Sequence, residues 1–204
     1  MVNFGNGLAR ALVSAALVAA AAPAPAAQSA DMARLGEHVG TVRTMTANFT
    51  QTDARGRSAA GSLQLKRPGK VRFQYGSGDL LLVADGRELW YLDYQVGQKN
   101  HWPLGKTPLG VLLSNSPNLK GRAQVVPSSD PNVVSIRARD PAQYGSVTLV
   151  FLRSASAPGG LQLYGWTALD AQNKRTTVKL SNVRYNVAVS EGAFTFKDPV
   201  KRGR

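Results

Sequence analysis

Leu80-Leu81-Leu82-Val83-Ala84-Asp85-Gly86-Arg87-Glu88-Leu89-Trp90-Tyr91-Leu92-Asp93-Tyr94 is the stretch on which the fold turns. Asp85-Gly86 is the strongest short hairpin signal in the chain, because both residue types tolerate the positive φ of a tight turn between right-twisted strands. Leu80–Ala84 and Glu88–Tyr94 therefore read as two antiparallel strands. Upstream, Val71, Phe73 and Tyr75 alternate with Arg72 and Gln74, the period of a half-buried strand. Arg67-Pro68-Gly69-Lys70 and Gly76–Asp79 are turns. Gly61–Lys66 puts Leu63 and Leu65 on one face, Thr52–Ala59 is a polar turn, and Met45, Ala47 and Phe49 alternate with polar residues. Before them, Met32, Leu35, Val39 and Val42 recur at helical spacing. They predict a helix over Ser29–Thr41 with Asp31 in its first turn, where a carboxylate suits the helix dipole.

Downstream, Asn100–Leu104 reads as a short strand. Thr107-Pro108 before an apolar cluster predicts a two-turn helix to Ser114, with Thr107 as cap and Pro108 at the first helical position. Further strands are expected at Gln124–Pro127, Val133–Ala138, Gly145–Arg153, Gly160–Asp170, Arg175–Val183 and Ala193–Phe196. About ten or eleven short strands with regular turns and two helices mean an antiparallel sheet closed, or nearly closed, into a barrel.

Residues Met1–Ala26 form a separate unit. One basic residue, Arg10, precedes an apolar run of about 12 residues, short of the ~20 that a membrane span needs. Small residues at Ala24 and Ala26 follow, so this segment reads as a secretory signal cut after Ala26. Residues 27–204 are expected to form one domain, a size suited to a single core. The apolar fraction of 43% supports a packed interior.

The sequence is poor in catalytic material. It has no cysteine, which excludes disulfides, thiol nucleophiles and thiolate metal sites, and only two histidines, His38 and His101. No G-x-S-x-G elbow stands near either. Gly76-Ser77-Gly78 lacks the third glycine of a phosphate cradle. Asp85 is needed by its turn, and Glu88 and Asp93 sit at strand ends, a poor basis for a pair of catalytic carboxylates. No enzyme, metal or cofactor is expected. The formal charge of +13 suits anionic membrane surfaces better than nucleic acid in an exported protein. By itself it would also allow a polyanion-binding structural protein.

The apolar surplus is more informative. A strand wet on one face has a polar residue at every second position. Leu80-Leu81-Leu82-Val83 and Leu89-Trp90-Tyr91-Leu92 break that rule. Either both faces are covered, or one lines an apolar pocket. At these residues the chain resembles the periplasmic outer-membrane lipoprotein carrier (LolA) family. Ordered landmarks carry the likeness: Ala47-Asn48-Phe49-Thr50-Gln51, Gly61–Pro68 with its Lys66-Arg67-Pro68, Val83–Trp90 with Asp85-Gly86 and Leu89-Trp90, Thr107-Pro108, and Phe194–Pro199.

The resemblance implies an incompletely closed antiparallel β-barrel with a helical lid over an apolar cavity. It implies a carrier that takes acylated lipoproteins from an inner-membrane ATP-driven exporter and delivers them to an outer-membrane acceptor; the chain itself is expected to be a monomer. Arg67 would latch the lid by hydrogen bonds to backbone carbonyls. The acyl chains would lie among Phe49, Leu63, Leu65, Val71, Phe73, Leu81, Val83, Trp90, Leu92, Trp102, Leu109, Leu112 and Leu113. In the Leu80–Val83 strand the opposite parity, Leu80 and Leu82, is the alternative. The same fold could instead bind or sense another amphiphile, such as lipopolysaccharide or a free lipid.

Overall fold

The computed structural model describes residues 25–76, 78–106, 113, 123–139, 145–170 and 172–200. Helix α1 (Pro25–Thr41) leads into eleven strands: β1 (Thr44–Thr52), β2 (Ser58–Lys66), β3 (Lys70–Tyr75), β4 (Leu80–Asp85), β5 (Glu88–Asp93), β6 (Gln98–Pro103), β7 (Ala123–Val126), β8 (Val133–Arg139), β9 (Ser146–Arg153), β10 (Leu161–Leu169) and β11 (Arg175–Tyr185). All pairings are antiparallel. The order is β6-β5-β4-β3-β2-β1-β11-β10-β9-β8-β7, so β6 and β7 are the two edges and the barrel stays open. The sheet curls nonetheless: Leu82 and Leu89 of β4 and β5 border the same cavity as Ile136 and Leu149 of β8 and β9.

Helix α1 starts four residues before the expected Ser29, at Pro25, and the expected signal cleavage after Ala26 falls in its first turn. That start takes Asp31 out of the first turn. Its carboxylate is buried and pairs with Arg153 at the end of β9, Oδ1 to Nη1 2.8 Å. Leu35 and Val39 bury the inner stripe of the helix. The helix rests directly on the turn at 158–160. Gly159 has φ 62°, and a Cβ there would lie 2.5 Å from the Arg34 carbonyl oxygen, so only glycine permits the approach.

Two differences from expectation concern the later chain. Ala193–Phe196 is not a strand: Glu191–Phe194 is a 3-10 turn capped by Ser190, whose Oγ accepts from the Gly192 amide. Alternation in Ala193–Phe196 mimics a strand, but Phe194 packs sideways against the sheet instead of extending it. Of the helix expected at Thr107–Ser114, all but Leu113 lies outside the described residues, Leu109 and Leu112 included. Leu113 is helical and buried, and its carbonyl accepts from the Gly69 amide at 2.9 Å.

The segment 187–199 forms a strap across the back of β3–β6. Phe194 is buried there with Leu81, Val83 and Leu92, and Trp90, Tyr94, Val189 and Phe196 close the cluster. Arg72 donates from Nη1 to the carbonyls of Ala193 and Thr195, both 3.1 Å. Lys66 and Lys70 hold Glu191, Lys99 holds Asp198, and the Tyr94 hydroxyl donates to the Lys197 carbonyl.

Candidate ligand-binding cavity

A cavity of about 320 Å³ lies between α1 and the concave face of the sheet. The volume is near the low end of the ~300–1,000 Å³ usual for small-molecule sites. Strand alternation builds it. On β2 and β3 the inward positions are Leu63, Leu65, Val71 and Phe73; on β4 and β5, Leu82 and Leu89. The second half supplies Ile136, Val147, Leu149, Phe151, Leu163, Trp166 and Val178, and α1 adds Leu35, His38 and Val39. Phe49 is buried just behind this wall, edge-on to Phe73 and Tyr75 with ring centroids 5.5 and 5.0 Å away.

Polar groups are few, and each has a defined state. Arg67 borders the cavity at the end of β2, beside the Gly69–Leu113 hydrogen bond. Burial, with a smaller push from Arg43, lowers its pKa to about 10, so the guanidinium is charged at neutral pH. Burial also holds His38 below the ordinary histidine range, against the raising effect of its hydrogen bond to the Pro158 carbonyl; nearby Arg67 lowers it further. His38 is therefore neutral at pH 7, and Nδ1–H donates to that carbonyl at 2.9 Å. The ring meets Phe151 and Tyr185 edge-on. The Tyr75 hydroxyl donates to Gln51 Oε1 at 2.9 Å, and burial pushes its pKa to about 12. Among the described residues Arg67 is the one cation in a mostly apolar lining, which suits an amphiphile whose hydrogen-bond acceptors lie near Arg67 and whose apolar body lies deeper.

The expected site residues divide sharply. Leu63, Leu65, Val71, Phe73, Leu113 and Arg67 border the cavity. Leu81, Val83, Trp90 and Leu92 do not: they point to the opposite face, under the strap. The parity of β4 is the alternative one, with Leu82 inward, because Leu82 pairs with Phe73 and cross-strand partners share a face. Trp102 pairs with Leu89 on the cavity side but lies on edge strand β6 and is 48% exposed, away from the lining. The residues of α1 and β8–β11 were missing from the expectation. The alternation of Val134 and Ile136, and of Val147, Leu149 and Phe151, was the signal that marks them.

Among the described residues, no cluster of His, Cys, Asp or Glu could hold a metal ion, and no helix is long and apolar enough to cross a membrane. His101 stacks on Trp90 and approaches Glu88 at 3.2 Å on the surface, outside the cavity lining.

Comparison with known proteins gives the geometry a context. A curated outer-membrane lipoprotein carrier protein from Chromobacterium violaceum is 34% identical over 113 residues, covering 52% of this chain and 54% of that protein, so this match spans about half of its length. One from Legionella pneumophila is 28% identical over 181 residues, covering 81% and 84%. One from Pseudomonas aeruginosa is 28% identical over 205 residues, covering 94% and 95%. Among solved structures, a LolA superfamily protein from Nitrosomonas europaea aligns with TM-score 0.44 at 12% identity over 81% of this chain and 97% of that one. MucB aligns with TM-score 0.47 at 16% identity, over 86% and 65%. The family described as outer membrane lipoprotein carrier protein LolA matches residues 40–197, from the end of α1 through the strap, and the chain belongs to that family.

Proposed function

We propose that this protein is a periplasmic carrier that shelters the acyl chains of lipoproteins in the cavity under α1. Residues 1–26 are its secretory signal and 27–204 the working domain. The observation that carries the reading is a cavity whose lining is mostly apolar, with one buried guanidinium among the described residues, in a member of this family. Cargo would come from an ATP-driven exporter in the inner membrane and go to an acceptor at the outer membrane, with the carrier monomeric. No catalytic step is needed.

The energetics favour a cavity that opens rather than one that stands ready. Each methylene removed from water contributes about 0.8 kcal/mol, so one long acyl chain would gain on the order of 12 kcal/mol if fully buried. Held that firmly, it would leave too slowly for a shuttle. Part of the gain is spent on displacing the cover of the cavity, which weakens net binding to a releasable level. Arg67 would regulate that displacement, since a guanidinium has up to five donors for backbone carbonyls.

The test is transfer. Membranes bearing a labelled triacylated lipoprotein and an energised exporter are incubated with the purified protein, and cargo is followed into the soluble fraction. Near one-to-one soluble complex supports the reading. Arg67→Leu is expected to take up cargo but to release little of it to acceptor membranes; release at the wild-type rate would remove the latch. A glycolipid or fatty acid co-purifying in native mass spectrometry, in place of an acylated polypeptide, would reassign the cavity to another amphiphile.

A further inference from the structure

The back of the sheet is not uniform. The strap covers β3–β6 but leaves β11 and its neighbours bare. Along β11, Arg175 and Lys179 lie four residues apart and share the face turned away from the cavity. Arg184 would fall on the other face were it not for a bulge. Thr46 pairs with Arg184 and Asn48 with Ser181, so one extra residue sits in β11, where Asn182 has φ 52°. The bulge returns Arg184 to the side of Lys179. The row is roughly 30 Å long at ~3.3 Å per residue.

All three side chains are exposed, and none joins an ion pair among the described residues. The surroundings keep them unneutralised. Strands β1, β2 and β7–β11 contain no Asp or Glu. The register places Thr46, Asn48, Thr50 and Thr167 beside the row, short polar side chains above which Lys and Arg stand clear. Among the described residues, the carboxylates in the adjoining turns make other contacts: Asp53 pairs with Arg57, and Asp170 Oδ1 accepts from the amides of Gln172 and Lys174. Exposed Tyr164, just before the Gly165 that pairs with Lys179, adds an aromatic with a polar tip, the residue type that settles at headgroup level.

We propose that this face docks the protein onto the phosphate headgroups of an anionic phospholipid bilayer. An extended cationic row without a concavity fits a broad anionic surface rather than a small ligand. Duplex nucleic acid is less suited, because groove reading needs a protruding helix or two-stranded ribbon and this face is a broad sheet. Docked this way, the protein keeps α1 and the cavity turned away from the bilayer, accessible to a partner. The inference rests on the carrier reading only for bringing the protein to a membrane.

Flotation of cargo-free protein with vesicles tests it. Binding to phosphatidylcholine vesicles containing phosphatidylglycerol, none to pure phosphatidylcholine, and release by salt are expected. Each cation near an anionic surface contributes about fivefold in partition, so the Arg175→Gln, Lys179→Gln, Arg184→Gln variant should bind roughly a hundredfold more weakly. A control with the same charge loss at exposed Arg55, Arg87 and Lys197 should bind far better than that variant. Equal loss in both variants would reduce the effect to net charge and overturn the docking face. Binding to pure phosphatidylcholine, or tighter binding to a short DNA duplex at the same salt, would overturn it as well. Because no cargo is present, failure here leaves the transfer assay untouched. Normal flotation with failed cargo transfer would sink the carrier reading alone.

Discussion

In β4 and β5 the side chains facing away from the cavity include Leu81, Val83 and Leu92, buried beneath the strap, and the partly buried Trp90. In β9, β10 and β11 the corresponding positions hold Thr148, Thr167 and Lys179, which meet solvent to varying degrees. Both regions use their inner faces for the same cavity. The outer face of a strand thus reports what lies over it. Apolar on both sides, it requires cover, here supplied from the far end of the chain; alternating, it stays wet.

The largest expected effect comes from removing that cover. Phe194→Ala should destabilise the protein by about 3–5 kcal/mol in urea unfolding, the range for a buried aromatic. A cost within ~0.5 kcal/mol, typical of the surface, would show that the strap is not part of the core. Next is a pair one residue apart. Leu81→Ala should cost about 2–4 kcal/mol and leave displacement of an acyl fluorophore from the cavity unchanged. Leu82→Ala should cost less, because its side chain already borders empty space, and should alter that displacement. Identical behaviour of the two would erase the distinction between the faces.

The third test concerns pH at the join of α1. His38 is held below its unfolded value near 6.5, chiefly by burial. Below about pH 6.5 the unfolded chain binds the proton more readily than the folded one. Stability should therefore fall with falling pH, by at most ~1.4 kcal/mol per pH unit until the folded group titrates. Chemical denaturation between pH 7.5 and 5 should show this limb, and His38→Leu should flatten it. The smallest effect is at the strap's exposed end. Lys66 and Lys70 hold Glu191 down to about 2, against an ordinary 4.5. Its contribution is present above the ordinary value and is lost as pH falls toward 2. The Tm difference between wild type and Glu191→Gln should shrink across that window.

Much of the architecture was legible because hairpins are local. Asp85-Gly86 and the alternation of Val71, Phe73 and Tyr75 set strands and turns without reference to distant residues. The face of each strand relative to the cavity was less legible where both faces are apolar. Leu81 and Leu82 are chemically the same, and only Phe194, more than a hundred positions away, decides which one it covers. The Phe194–Pro199 landmark was visible as part of a resemblance, while its alternation suggested a strand it does not form. The cationic row on β11 was hidden for another reason: a bulge at Asn182 reverses the side on which Arg184 falls, and sequence period alone puts it inward.

The pairing of β1 with β11 has a kinetic meaning. Every other pairing joins strands that are consecutive in sequence, whereas this one ties residues 44–52 to 177–185. Local hairpins form quickly, and closure of a long intervening chain carries the larger entropic cost. Two meanders, β1–β6 and β7–β11, are thus expected to form first and then zip together along this seam. Because the cavity wall is shared between them, an early folding species has no chamber to offer. Stopped-flow refolding in the presence of an apolar dye should then show the binding signal arriving with the last phase.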